Sequence, residues 1–142
     1  MTAFLALKYA KPEGFAKGLF HDLTRARLVT RYPHAGIVKD GMLMHANLSR
    51  GLHKEPFIPG GWMLIPIPDQ PWQVGLFEQW EGTPYDVFSL LAFATPFPAR
   101  DSSKLYCYEW DWLWLTNQKP IERVTPEDLA IEALRQNHDH RF

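Results

Sequence analysis

A single cysteine, Cys107, in a chain of 142 residues rules out an internal disulfide, so the fold must be held by its core alone. The material for that core is present: 46% of residues are hydrophobic, with six tryptophans among them. That content is too high for a disordered chain and fits one domain with one core. Twelve prolines stiffen the connections. The expectation is a single domain over residues 1–136, followed by a polar tail, 137–142, with the sequence Asn-His-Asp-His-Arg-Phe.

Charge narrows the partners. Fifteen basic and 16 acidic side chains leave a formal net charge of −1, which argues against nucleic acid, because phosphate binding needs an electropositive face. No apolar run approaches the roughly 20 residues of a membrane-spanning helix. The opening segment, Met1 to Lys8, lacks the basic start and long apolar core of a secretion signal, so none is expected.

The order of elements points to an α+β plan, strands first and helices second. Residues 3–9 alternate as a short strand, and residues 15–28 carry apolar side chains near helical spacing. Two apolar runs, ending at Val38 and starting at Met42, flank Lys39-Asp40-Gly41 and predict a β-hairpin. Leu52 and the run Trp62–Ile65 predict two more strands. Beyond Pro71, Trp72, Leu76, Phe77 and Trp80 repeat at helical spacing. Thr83-Pro84 and Thr125-Pro126 each have the form of a helix start, with threonine as N-cap and proline next. Cys107 directly precedes the apolar run Tyr108–Leu115, which predicts a helix with the cysteine at its N-terminus.

That position suggests chemistry. A helix N-terminus offers free N–H groups and partial positive charge, both of which favour thiolate over thiol. A thiol nucleophile also needs an imidazole, and that imidazole needs an orienting partner. Of the six histidines, His138 and His140 lie in the tail, His21 beside Asp22, and His53 in a polar stretch with Arg50, Lys54 and Glu55. His34 and His45 instead sit in strand-like runs on the two arms of the predicted hairpin, almost opposite each other. One would take the thiol proton and the other would fix its tautomer. The plain alternative makes Cys107 a packing residue and both histidines satisfied polar groups. Zinc is disfavoured, since His34, His45 and Cys107 lack the close paired spacing of structural zinc ligands; no metal or cofactor is expected.

A set of segments, taken in order, resembles a known family. They are Tyr32-Pro33-His34-Ala35-Gly36-Ile37-Val38, the Asp-Gly turn, Ser49-Arg50-Gly51-Leu52, Pro84-Tyr85-Asp86, Leu105-Tyr106-Cys107-Tyr108-Glu109 and Arg123–Leu129. Over residues 3–130 the chain resembles the permuted NlpC/P60 papain-like hydrolases, and most of all the small YiiX/YebB-like and phage-encoded members. The resemblance implies a circularly permuted papain-like fold, a small antiparallel sheet packed against helices. It implies Cys107 as nucleophile, His34 as its base and His45 as the third polar residue, a set that also resembles the lecithin:retinol acyltransferase group. Glu109 matches an acid common two residues after the family cysteine, whereas Tyr108 stands where a small serine is usual. The implied activity is cleavage of an amide or ester through a thioester, on a cell-wall peptide, another isopeptide or a lipid ester. Its alternatives are a thiol acyltransferase and a non-catalytic phage structural or accessory protein with virion partners. The implied setting is the cytoplasm of a bacterial host or a phage virion.

Overall fold

The structure, a computed structural model, describes residues 2–9, 34–47, 49–85, 107–119 and 124–140. The predicted helix over 15–28 lies outside them. Five antiparallel strands form one sheet: β1 (Ala3–Lys8), β2 (His34–Lys39), β3 (Met42–Asn47), β4 (Gly51–Pro56) and β5 (Trp62–Ile67), in the spatial order β4-β3-β2-β1-β5. Among the described residues three α-helices follow: α1 (Leu76–Trp80), α2 (Cys107–Thr116) and α3 (Pro126–His140). The α+β class and the strands-then-helices order are as the sequence predicts. Among the described residues, no helix is long and apolar enough to cross a membrane.

The sheet's two faces differ. Alternation sends Leu5, Leu7, Ala35, Ile37, Met44, Ala46, Leu52, Ile65 and Ile67 to one side, where α2 covers β2 and β3 and α3 covers β5 and β1. Trp110, Tyr108 and Leu115 of α2 are fully buried there. Removing a side chain such as Trp110 would cost about 3–5 kcal/mol. The other face carries a smaller apolar cluster of Ala6, Val38 and Leu43, with Phe4, Phe57 and Trp62 against it.

Local chemistry explains most boundaries. Asp40 and Gly41 both have positive φ, 53° and 76°, the two-residue turn whose twist matches a hairpin. The Thr125 hydroxyl accepts from the Asp128 N–H at 3.2 Å, and the Asp128 carboxylate accepts from the Thr125 N–H at 3.0 Å, a reciprocal cap that starts α3. At the far end of α2, Asn117 turns left-handed at φ 58° and its N–H returns to the Leu113 carbonyl at 2.8 Å. The next carbonyls are taken by side chains: Trp114 O accepts from Trp72 and Gln73, and Leu115 O from Gln136.

Three expectations need correction. The helical spacing after Pro71 yields a 3-10 turn, Pro71–Gln73, and then the short α1, because Gly75 at φ 74° breaks the run. Thr83 does not cap a helix at Pro84. Its carbonyl accepts from the Leu52 N–H at 2.9 Å and Gly82 donates to the Leu52 carbonyl at 2.8 Å, so the segment lies beside β4. The expected polar tail is helical through His140, and Asn137 donates to the Pro66 carbonyl.

Asp111 is the anomaly of the core. It is fully buried, neither carboxylate oxygen has a hydrogen-bond partner, and burial holds its carboxyl well above the usual 3.8. The folded chain therefore keeps this proton to higher pH than the unfolded chain does. Its contribution is fully present at low pH and is lost as pH rises from about 3.8 through the raised folded value. Asp111→Asn should stabilise the protein by about 1–2 kcal/mol at pH 8, with the gain shrinking toward pH 4. Thermal melts of both proteins across that range would measure it; an equal difference at every pH would contradict the account.

Candidate functional site

The hairpin register decides which side chains meet. β2 and β3 pair at Ile37↔Met44, Val38↔Leu43 and Lys39↔Met42. Extended by one residue, this register sets Gly36, rather than His34, opposite His45. His34 is thus a diagonal neighbour on the same face, and the missing side chain of Gly36 is what lets the rings meet. A Cβ there would stand 2.7 Å from a Leu43 methyl and 3.0 Å from the His45 Cβ. Across the gap, His34 Nε2 and His45 Nδ1 share a hydrogen bond of 2.7 Å. The pair predicted from the sequence is assembled, by a diagonal contact in place of a directly opposed one.

A third imidazole joins it. His45 pairs directly with His53 on β4, and their ring centroids are 4.5 Å apart. His53 Nδ1 donates to the Gly51 carbonyl at 2.9 Å. Glu55, two residues on and therefore on the same face, reaches both: its carboxylate lies 3.2 Å from His45 Nε2 and 3.5 Å from His53 Nε2. Both histidines are only 6% exposed, whereas the Glu55 side chain is 43% exposed. Burial lowers the His45 imidazole to about 4, helped by His53 and opposed by Glu55, so His45 is neutral at physiological pH.

Sequence reasoning set His53 and Glu55 aside as part of a polar stretch. The signal that would have found them is alternation. His53 and Glu55 are two apart in a strand, and the Asn47–Gly51 turn returns that strand against His45. In this turn the Asn47 side-chain oxygen accepts from the Arg50 N–H at 2.9 Å.

Cys107 sits elsewhere. It is the first residue of α2, as predicted, but its side chain belongs to the helix-side core and is 3% exposed. The His34 side chain points to the other face of the sheet, with His45 and Trp62. What links the two is the main chain of Ala35, the residue next to His34, whose N–H acts on the sulfur. Burial pushes the Cys107 thiol up to about 12, and the Asp111 carboxylate one turn along adds to the rise. The N–H groups of Ala35, Tyr108 and Cys107 itself oppose this and do not overcome it. The expected thiolate at a helix N-terminus is therefore corrected: desolvation outweighs the partial charge, and the resting group is a thiol.

No protein-family model, curated protein or solved structure matches this chain.

Gly36 offers a direct check on the imidazole pair. Gly36→Ala should cost about 1–3 kcal/mol by crowding Leu43 and His45. It should also shift the His34 and His45 ring resonances together in an NMR spectrum. Unchanged rings in a destabilised variant would show that the close approach at Gly36 does not set the pair.

Proposed function

We propose that the protein is a cysteine hydrolase, of the permuted NlpC/P60 papain-like kind, that cleaves an amide or ester bond through a thioester. The observation that carries this reading is the 2.7 Å hydrogen bond between His34 and His45, at the strand end where the Ala35 N–H meets the Cys107 sulfur. Because the resting sulfur is protonated, its proton must leave during attack and cannot leave beforehand. The His34 ring and the sulfur lie on opposite faces of the sheet, so His34 takes that proton only by turning around the strand end at Ala35 as the sulfur bonds to the substrate carbonyl carbon. The tetrahedral oxyanion is held by main-chain N–H groups at the start of α2. Collapse breaks the bond to nitrogen or oxygen, and the leaving group takes the proton from His34. Water then gives a proton to His34 and attacks the thioester, releasing an acid and restoring the thiol. An amine or alcohol in place of water would make the same site an acyltransferase. The substrate class proposed is a cell-wall peptide, another isopeptide or a lipid ester.

A second reading is favoured by one specific observation. A sulfur that is 3% exposed and held as a thiol suits a packing residue, and hence a non-catalytic structural or accessory protein on the same fold.

Acyl-enzyme trapping separates the two. Incubation with activated p-nitrophenyl esters of amino acids and fatty acids should add one acyl mass to the wild-type chain, located on Cys107 by peptide mapping, and none to Cys107→Ala. His34→Ala should slow acylation by about 10²–10⁴-fold. In the absence of substrate, iodoacetamide should label Cys107 more slowly than glutathione at pH 7.5, because the thiol is raised. Absence of any acyl adduct across the ester panel would leave the structural reading in possession.

A further inference from the structure

We propose that His45, His53 and Glu55 bind a single divalent transition-metal ion, for which Zn2+ fits the donor set. The argument begins with where the protons are. The Gly51 carbonyl can only accept, so His53 donates from Nδ1 and its Nε2 is the atom turned to Glu55. His45 has its Nδ1 committed to His34. The Nε2 atoms of His45 and His53 are both buried and both face the Glu55 carboxylate. Two imidazole nitrogens and a carboxylate oxygen thus converge, all within 4.8 Å of one another. An ion bound here takes one lone pair from each Nε2, with the His45 proton then on Nδ1 toward His34.

The spacing fits a metal ion. Tetrahedral zinc with nitrogen and oxygen ligands at about 2.0–2.1 Å sets neighbouring ligand atoms about 3.3 Å apart. His45 Nε2 is 3.2 Å from one Glu55 oxygen and His53 Nε2 is 3.5 Å from the other, and the three donor groups lie within 4.8 Å of one another, so a small closure around an ion completes the site. Two imidazoles and one carboxylate are a zinc donor set that leaves a fourth position open. The outer layer is also present: the Gly51 carbonyl orients the His53 ring and His34 orients the His45 ring, as metal-bound imidazoles require. Three ligands on two directly paired strands hold their positions without further ordering, and the partly exposed Glu55 gives the ion a way in. The nearest competing cation is Arg50, whose Nη1 is 3.9 Å from Glu55 on an exposed side chain; Lys8 also acts on His45.

One consequence rests on the hydrolase reading above. A metal on His45 Nε2 requires the proton on Nδ1, so His45 donates to His34 Nε2. The thiol step needs the same hydrogen bond to run the other way, from His34 to His45. Zn2+ would therefore inhibit acylation of Cys107.

The test uses the full chain after treatment with EDTA and dialysis. Calorimetric titration with Zn2+ and visible absorption with Co2+ should both give one ion per chain, the cobalt form showing the strong bands of a tetrahedral site. His53→Ala and Glu55→Gln should each lose at least about a hundredfold in affinity, and His34→Ala about tenfold. His138→Ala, at an exposed histidine on α3, should bind as wild type does. Glu55→Gln changes a half-exposed group and serves if His53→Ala does not fold. No stoichiometric ion in the wild type, or undiminished binding in Glu55→Gln, would overturn the site. The cobalt bands report on the metal whether or not the chain hydrolyses anything. Bound metal that leaves acylation as fast as before would overturn the link to His34 and not the site.

Discussion

The register of the β2–β3 hairpin governs what this protein can do. A two-residue turn at Asp40-Gly41 fixes it, and in a strand of period two a slip of one residue would exchange the faces. With the register as it stands, Ala35, Ile37, Met44 and Ala46 go to the helices, and His34, Gly36 and His45 go to the opposite face. The 2.7 Å contact on that face between His34 and His45 then depends on an absence, the missing side chain at Gly36. Hydrophobic burial on one side thereby assembles an imidazole cluster on the other.

Cys107 sets two opposing effects against each other. Its place at the start of α2 gives it main-chain N–H groups and the positive end of the helix. Its side chain is also sealed into an aromatic core beside a buried carboxyl group, and burial wins by a wide margin. Asp111 belongs to the same conflict. An acid in that position costs stability at neutral pH and raises its neighbour's thiol, yet α2 carries it one turn from the sulfur. The resting site is held in its uncharged form, so any chemistry on the sulfur has to move a proton in the same step as bond formation.

Much of the fold was legible because the signals were local. Alternation gave the strands, Asp-Gly gave the hairpin turn, and Thr125-Pro126 gave the start of α3, each from residues within a few positions of one another. Thr83-Pro84 carried the same local signal and failed, because hydrogen bonds to Leu52 on β4 were available and outweighed the propensity to start a helix. His34 and His45 were legible as a pair since one short turn separates their strands. His53 and Glu55 were missed because, within a charged stretch, the pattern that matters is their shared face, and a face has meaning only once the partner strand is in place.

The amino-acid order alone determined the elements: five strands ahead of the main helices, a cysteine opening one of those helices, and two histidines bracketing a tight turn. Those are consequences of short-range sterics and hydrogen bonding, which a chain carries wherever it goes. Tertiary structure alone decided the side of the sheet on which each reactive group lies, how dry its surroundings are and which nitrogen carries its proton. Desolvation and lone-pair direction depend on what other parts of the chain stack against a group, and no local pattern specifies that. For this reason the imidazoles could be paired from the sequence, while the protonated state of Cys107 and the convergence of His45, His53 and Glu55 could not.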